Sequence, residues 1–153
     1  MSRNCRFAVA VHVATLLAIT GERPATSDWI AGSVNTNPVV VRRILAALGR
    51  AGLVRSQRGI SGGSILARPA ASITLRDLYR AVADEDAPPP THNQPPNDAC
   101  PVGAHIVEIL VDVIGRAEAA KEAELAQTSV ADVVARIPLC PNQAQESPAN
   151  AGT

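Results

Sequence analysis

The chain has 153 residues with 14 basic and 14 acidic side chains, so its formal net charge is zero. This length suits a single domain with an extension better than two complete domains. Its aromatic residues are Phe7, Trp29 and Tyr79, a scarcity that disfavours base stacking on single-stranded nucleic acid and predicts a core of Ala, Val, Leu and Ile.

The zero net charge hides an uneven distribution along the chain. Residues 1–80 contain eleven arginines and three acidic residues, a net charge of +8, whereas residues 81–153 contain three basic and eleven acidic residues, a net charge of −8. A basic half joined to an acidic half is expected when one part of a protein meets phosphate and the other has a different task. The pattern therefore predicts a nucleic-acid partner for the first half.

The first predicted element is an apolar helix that follows Arg3 and Arg6. A charged start before an apolar run is also typical of a secretory signal, but His12 interrupts the run, Arg23 follows it closely and no A-x-A cleavage site is well placed. The run is also shorter than the roughly 20 residues that span a membrane. We expect a cytoplasmic protein whose first helix lies in the core, with the two N-terminal arginines near backbone phosphate.

Two helices separated by three residues predict a helix-turn-helix. The first covers Ser27–Val34 with Ser27 as its N-cap. Residues 35–37 break the chain, and Pro38 suits the start of a second helix that ends at Gly52. The inner face of this second helix consists of apolar residues at helical spacing: Val41, Ile44, Leu45 and Leu48. Five residues lie on or near the opposite face: Val39, Arg42, Arg43, Ala46 and Arg50.

The two arginines in the first turns of the second helix are the first sign of a DNA contact. The N-terminal part of a recognition helix meets base edges in the major groove, where an arginine fork pairs with guanine acceptors. A solvated helix face is the other interpretation, because arginine pairs are common on helices. The segment that follows favours DNA.

This segment predicts a hairpin with a basic tip. Residues 53–57 and 64–67 form its short strands, and residues 58–63 form a turn with three glycines. Glycine permits positive φ and close backbone approach, so Arg58 can enter a narrow minor groove while backbone amides meet phosphate. A nucleotide-binding phosphate loop is not predicted, since the G-x-x-x-x-G-K-[ST] pattern is absent.

The chain after the hairpin predicts a short helix, a loop and a long helix. Thr74 is the expected cap of a helix that runs to about residue 83. Residues 84–98 are acidic and then proline-rich, which predicts an exposed loop. A long helix begins at Pro101, and a short helix covers Ser129–Ile137. We expect residues 139–153 to be a disordered tail.

The long helix has a broader apolar face than a small domain can cover. The residues predicted to form this dimerisation face are Val102, Ile106, Ile109, Leu110, Val113 and Ile114. A second copy of the chain is the economical cover. A symmetric homodimer would place two recognition helices about one turn of DNA apart, or a small multiple of that distance, and predicts a roughly palindromic operator.

Taken together, these motifs resemble the Rrf2 family of bacterial winged-helix transcription regulators, the group of IscR, NsrR and CymR. The similarity covers about residues 3–137 and rests on seven segments: residues 7–12, 34–45, 48–54, 58–63, 66–69, 73–78 and 100–103. The resemblance implies that Val39, Arg42 and Arg43 touch bases and that Arg58 is the minor-groove arginine of the wing. It also implies that the loop before the long helix receives a signal.

The resulting prediction is a mainly α fold, a winged helix-turn-helix with a two-stranded wing and a long C-terminal dimerisation helix. The predicted DNA contacts are Asn37, Val39, Arg42, Arg43, Arg58, Gly59, Ser61 and Arg3. The predicted division of the chain is 1–83 for the DNA-binding domain, 84–100 for the effector loop, 101–137 for the dimerisation helix and a short final helix, and 138–153 for the tail.

The cysteines are the candidates for the sensed signal. An odd count of three indicates a reducing cytosol rather than a disulfide framework. Cys100 precedes a helix, and Cys5 lies between two arginines; both settings favour a reactive thiolate, although either cysteine can equally be an inert small hydrophobe. Cys140 is expected to be incidental. The three histidines match no zinc spacing, so no metal site is predicted.

An iron-sulfur cluster is not expected. The resemblance implies three closely spaced cysteines in the loop of cluster-binding members, and here the loop contains only Cys100. Cluster ligation generally needs close to four soft ligands. No cofactor is therefore predicted.

The sequence predicts a cytoplasmic, homodimeric, sequence-specific regulator of double-stranded DNA, with repression taken from the resemblance and cysteine oxidation as a candidate switch. An enzyme is not predicted, because no set of acid, base and nucleophile converges and no G-x-S-x-G motif is present. Two alternatives stay open. One is a winged-helix module for protein interaction, and the other is a regulator that responds to a small ligand, a metal or an iron-sulfur cluster.

Overall fold

The computed structural model describes residues 3–83, 92 and 94–138. The side chains of Arg3 and Asn4 are not among the described parts. Most residues of the predicted effector loop lie outside the described residues, as do Cys140 and the rest of the tail from residue 139. What was predicted for these segments stays a prediction.

The described chain contains six α-helices, one short 3₁₀ turn and one antiparallel pair of strands. The helices are α1 (Arg3–Thr20), α2 (Ser27–Val34), α3 (Pro38–Arg50), α4 (Leu75–Ala81), α5 (Pro101–Leu125) and α6 (Val130–Ala135). The strands are β1 (Val54–Gln57) and β2 (Gly63–Leu66), and the 3₁₀ turn is Ala70–Ser72. The predicted mainly α fold with a two-stranded wing and a long C-terminal helix is confirmed.

Local capping fixes the ends of α2 and α3. The predicted cap Ser27 is wrong by one residue, because the Thr26 hydroxyl accepts the hydrogen bond from the Trp29 amide at 3.2 Å. At α3, the Asn37 side chain accepts from the Val39 amide at 2.8 Å. Side-chain acceptors of this kind satisfy amides that have no partner within the first turn.

The inner face of α3 lies in an aliphatic core. Val41, Ile44 and Leu48 are buried as predicted, while Leu45 is only partly buried. They share the core with residues of α1 and α2: Ala10, Val13, Ala14, Leu17, Ile30 and Ala31. Because one helix face is fully occupied in this way, the opposite face of α3 points away from the protein.

The wing is attached to the body of the domain by backbone pairing. Strands β1 and β2 are antiparallel, with Val54 opposite Leu66 and Gln57 opposite Gly63. Ala25 extends this pairing, because its amide donates to the Ser64 carbonyl at 3.0 Å and its carbonyl accepts from the Ser64 amide at 2.9 Å. The wing therefore leaves the domain in a direction set by the linker between α1 and α2.

Helix α6 packs in the core of the N-terminal domain, although the sequence analysis grouped it with the long helix in residues 101–137. Val130 is fully buried, and its amide donates to the Ile73 carbonyl at 2.8 Å. The helix starts with a capping box in which Ser129 and Asp132 satisfy each other's exposed amides. Thr74 and Asp77 form an equivalent box on α4. The chain thus returns to its first domain after α5.

Helix α5 is held on α4 by a cluster of polar side chains at its C-terminal half. The Tyr79 hydroxyl donates to Glu118 and accepts from Lys121 at 2.6 Å, and Lys121 also pairs with Glu118 at 2.7 Å. Arg80 donates to Glu122 through Nε at 2.9 Å. Within the described chain no residue of α5 is fully buried, in either half of the helix.

Replacing Gly63 with Ala is expected to destabilise the protein, because the added Cβ would lie 2.6 Å from the carbonyl oxygen of Ala25. Overpacking of this kind costs about 1–3 kcal/mol of unfolding free energy. Gly32→Ala is the matched control, since its Cβ would meet nothing within 4 Å and Ala is better than Gly in a helix by about 0.5–1 kcal/mol. Urea denaturation followed by circular dichroism measures both variants. Equal midpoints for the two would contradict the close approach of the wing to Ala25.

Candidate nucleic-acid interface

The outer face of α3 presents an apolar residue between two diverging arginines. Val39 is 47% exposed. Arg42 leans toward α2, where its guanidinium lies 3.7 Å from the Asp28 carboxylate. Arg43 lies on the other side, at the edge of a cleft between α3, α1 and α4. The three side chains can therefore contact separate positions along a groove.

The Arg42 pairing does not commit this arginine to the protein. Its side chain is 57% exposed and that of Asp28 is 74% exposed. Exposed ion pairs contribute little, about 0–1 kcal/mol, because water screens both charges. Arg42 can therefore exchange Asp28 for another acceptor at small cost. No local pattern in the sequence predicts the pairing of Arg42 with Asp28.

Asn37 has a structural role that the sequence analysis did not assign. It was predicted as a DNA contact, and it is exposed. Its side-chain oxygen Oδ1 accepts a hydrogen bond from the Val39 amide and so caps α3. An amide side chain retains two donors after its oxygen is used. Capping and a DNA contact are therefore compatible at Asn37.

The wing tip is a tight turn that exposes Arg58, Gly59 and Ser61. Gly59 has φ of +118°, and its carbonyl accepts from the Gly62 amide at 2.9 Å. A side chain at Gly62 would meet the Gln57 carbonyl at 2.6 Å, so both glycines are required by the backbone itself. Ile60, which the sequence analysis passed over, is fully exposed beside Arg58.

Of the two N-terminal arginines, the structure describes the side chain of Arg6 but not that of Arg3. Arg3 begins α1, but its side chain is outside the described parts, so its contact with phosphate stays a prediction. Arg6 is half-buried and lines the same cleft as Arg43 and Arg50. Arg50 is exposed near the outer face of α3. Its position follows from helical spacing, but the sequence alone did not bring it together with Arg6.

The two described cysteines, Cys5 and Cys100, are both exposed. Cys100 is the residue before the first turn of α5, with extended backbone angles. The backbone N–H of Gly103, and after it that of Val102, lowers the pKa of the Cys100 thiol, because these amides stabilise the thiolate. Cys100 is thus accessible and biased toward its reactive form.

The donor set near Cys100 does not fit an iron-sulfur cluster. Residues 84–100 contain one cysteine, and the described part of the chain holds no group of three His, Cys, Asp or Glu side chains suited to a metal ion. His12 is exposed, and its Nε2 lies 3.1 Å from the Ser33 hydroxyl. One thiolate in the loop of each chain falls well short of the usual cysteine ligation.

A capped recognition helix, a preceding helix that crosses it and a basic two-stranded wing together define a winged helix-turn-helix protein of the DNA-binding class. No helix among the described residues has the length and apolar character needed to cross a membrane.

The chain belongs to the Rrf2 family, whose model is described as an iron-dependent transcriptional regulator and matches residues 3–136. It is 40% identical to YwnA of Bacillus subtilis (strain 168), named as an HTH-type transcriptional regulator, over 131 residues that cover 86% of this chain and 96% of YwnA. The chain is therefore a transcriptional regulator of this family rather than an enzyme, as predicted.

Solved structures support the same fold. A transcriptional regulator from Lactobacillus plantarum superposes with a TM-score of 0.68 at 29% identity, covering 85% of this chain and 87% of the other. IscR of T. potens gives a TM-score of 0.65 at 23% identity, covering 92% and 93%; at this identity the likeness concerns the fold alone. The resemblance drawn from the motifs is thus confirmed.

Proposed function

We propose that the protein is a homodimeric, cytoplasmic repressor that reads a palindromic operator through α3 and the wing. The observation that carries this proposal is the outer face of α3, where exposed Val39 lies between Arg42 and Arg43 while the opposite face is buried. An apolar contact suits a thymine methyl group, and an arginine fork suits guanine O6 and N7. Repression, rather than activation, follows from the family resemblance.

The wing supplies the second contact in this proposal. Arg58 is exposed at the start of a turn whose glycines allow the backbone to approach DNA closely. A narrow minor groove has enhanced negative potential and attracts arginine. Major-groove reading by α3 and minor-groove reading by Arg58 then fix the register of each half-site.

Replacing Arg42 or Arg43 with Ala is expected to weaken binding to the cognate operator by about 1–3 kcal/mol and to alter base preference, because each removes a bidentate base contact. Arg58→Ala should matter most at sites with a narrow minor groove. Arg116→Ala is the control, since this arginine is also exposed but lies on α5 rather than on α3 or the wing. Selection from a randomised duplex pool, followed by titration of the enriched site, measures all four variants.

Two outcomes of this selection contradict base reading. The first is an equal loss of affinity on all sequences for Arg42→Ala and Arg43→Ala, which would reduce both to phosphate contacts. The second is retention of duplex binding by the triple variant lacking Arg42, Arg43 and Arg58, which would favour the alternative of a protein-interaction module.

The proposed dimer is formed through the apolar face of α5. Val102, Ile109 and Val113 are 67%, 54% and 46% exposed in the single chain. Ile106, Leu110 and Ile114 are partly buried along the same side. A contiguous apolar surface of this kind on a small domain is typical of an interface, and a symmetric pair would present two copies of α3 to one DNA duplex.

Ile109→Glu is expected to convert the dimer to a monomer, because a carboxylate would be buried without a partner at the interface. The fold should survive, since Ile109 is more than half exposed in the single chain. Ala104→Glu is the control and should stay dimeric, because Ala104 is exposed and lies about 140° around α5 from Ile109. Analytical ultracentrifugation measures the mass of each. A dimeric Ile109→Glu variant, or a monomeric parent protein, would count against this interface.

We further propose that Cys100 acts as a thiol switch, with Cys5 as the second candidate. The observation in favour of Cys100 is its exposure next to amides that lower its pKa. Its thiolate sulfur would attack a peroxide oxygen and the O–O bond would break. The products would be a sulfenic acid and hydroxide or, from an alkyl peroxide, an alkoxide that takes a proton from water. The modified side chain would lie immediately before the first turn of the proposed dimerisation helix, where added bulk and polarity would disturb the packing of two α5 helices.

This switch predicts that mild peroxide weakens operator binding and that Cys100→Ser abolishes the response, whereas Cys5→Ser retains it. Alkylation of Cys100 in a Cys5→Ser/Cys140→Ser background should also follow pH with a midpoint lower in the folded than in the urea-denatured chain, because the native amides favour the thiolate. Operator binding that is indifferent to peroxide would remove the switch and leave the DNA reader intact. A response that depends on Cys5 would move the switch to α1.

A further inference from the structure

A cleft behind the recognition helix combines positive charge with an apolar lining. It lies between α3, the start of α1 and the end of α4, and has a volume of about 470 Å³. Its lining residues, which we call the basic cleft, are Arg6, Val40, Arg43, Ile44, Ala47, Arg50, Ala81, Val82 and Ala83. This volume falls within the range of about 300–1,000 Å³ that is typical of small-molecule sites.

The helical spacing of α3 arranges these groups in order. Val40, Ala47 and the arginines at 43 and 50 lie along one side of the helix, because positions three, four and seven residues apart share a face. Arg43 and Arg50 are about 10 Å apart along the axis, and small apolar side chains lie between them. Arg6 approaches from α1. The cleft thus offers cationic groups at its edge and an apolar wall between them.

Arg43 and Arg50, the two arginines that α3 contributes to the cleft, form no ion pair with any residue in the part of the chain that the structure describes. All three charged lining residues are arginines, and no acidic side chain of the described chain is among the lining residues. Arginine binds carboxylate, phosphate and sulfonate groups through a planar fork of donors. The apolar wall adds affinity for a ligand with a hydrocarbon or aromatic body and adds nothing for a bare inorganic ion.

We propose that the basic cleft binds a small organic anion with an apolar body, and that this ligand regulates DNA binding. The regulatory part rests on the proposed base-reading function. Arg43 belongs to both surfaces, since it lines the cleft and lies beside Val39 on the outer face of α3. A guanidinium that pairs with an anion in the cleft is withdrawn from a base in the groove. Ligand and operator therefore compete for Arg43.

The same arginines could instead hold a phosphodiester of the operator itself. A phosphodiester would use the cationic edge of the cleft but not its apolar wall, to which Val40 and Ala81 belong. The concave shape and the wall favour the free ligand. The two sources of anion make opposite predictions for a variant that fills the wall without changing charge.

The test uses the full-length reduced protein without DNA, with anilinonaphthalene sulfonate as the probe and its uncharged analogue N-phenylnaphthylamine as the comparison. Arg50→Ala removes one cation from the cleft, and Ala47→Leu fills the apolar wall without a change of charge. Arg116→Ala is the control outside the cleft. Fluorescence titration gives the dissociation constant of each probe, and operator binding is then measured with and without saturating sulfonate probe.

We expect Arg50→Ala to weaken the sulfonate probe about tenfold, as the loss of one charge-assisted contact implies, with little change for the uncharged probe. Ala47→Leu should weaken both probes, and Arg116→Ala neither. Saturating sulfonate should weaken operator binding by the parent protein and not by Ala47→Leu.

Sulfonate affinity that is unchanged in both Arg50→Ala and Ala47→Leu overturns the proposal, because the probe then binds elsewhere. A second set of results also overturns the proposal. If Arg50→Ala keeps its probe affinity, binds all duplexes more weakly and shows a salt dependence reduced by about one phosphate contact, the cleft contacts the DNA backbone. If the unmodified protein selects no operator even without a probe, the base-reading function is refuted instead. The probe titrations would still decide whether the basic cleft binds an organic anion.

Discussion

Burial of one face of α3 is the constraint on which the rest of this structure depends. Val41, Ile44 and Leu48 fill a core whose other walls are the aliphatic residues of α1 and α2. Once these three side chains are inside, the helix has a single possible rotation, and Val39, Arg42 and Arg43 face outward together. The turn after α3 is part of the same arrangement, because the Leu53 amide donates to the Leu48 carbonyl at 2.9 Å and so fixes where β1 and the wing begin. Core packing thus decides which residues α3 exposes, and the proposed DNA contacts lie on that exposed face.

Helix α4 links this recognition unit to the long helix. Tyr79 is buried in the domain, where its ring meets Phe7 edge to face at 5.5 Å, and its hydroxyl reaches Glu118 and Lys121 on α5. The aromatic contact and the polar cluster therefore connect α1, α4 and α5 in one path. Beyond this cluster α5 leaves the domain with its apolar face exposed. Through this attachment, a dimer formed by α5 would set the separation of two recognition helices. A change at Cys100 would act at the α5 end of the path, and a ligand in the basic cleft would act at the end formed by α1 and α4.

Much of the fold was predictable because its elements carry local signals. Pro38 and Gly52 mark the ends of α3, and the spacing of Val41, Ile44 and Leu48 gives its buried face. The wing follows from two short strands around a glycine-rich turn. Local signals failed where two elements compete or where partners are distant in sequence. Thr26 rather than Ser27 caps α2, because both hydroxyls suit the role and only the path of the chain into the helix distinguishes them. Asp28 meets Arg42, which lies fourteen residues further along the chain, and no local spacing rule contains that contact. The cap at Asn37 is a local signal, because Asn is a favoured N-cap, but Asn37 was assigned only to DNA.

By itself, the sequence determined which residues of each helix are apolar, where the helices begin and end, and which arginines share a helix face, because these properties depend on residues a few positions apart. Only the tertiary structure decided that α6 returns to the first core through Val130, that Gly63 must pass against Ala25, and that Arg6, from α1, joins Arg43 and Arg50 around a cleft. These features depend on groups that are tens of residues apart and meet only when the core forms. Their energies arise from close packing and backbone pairing between elements, to which local sequence patterns are blind.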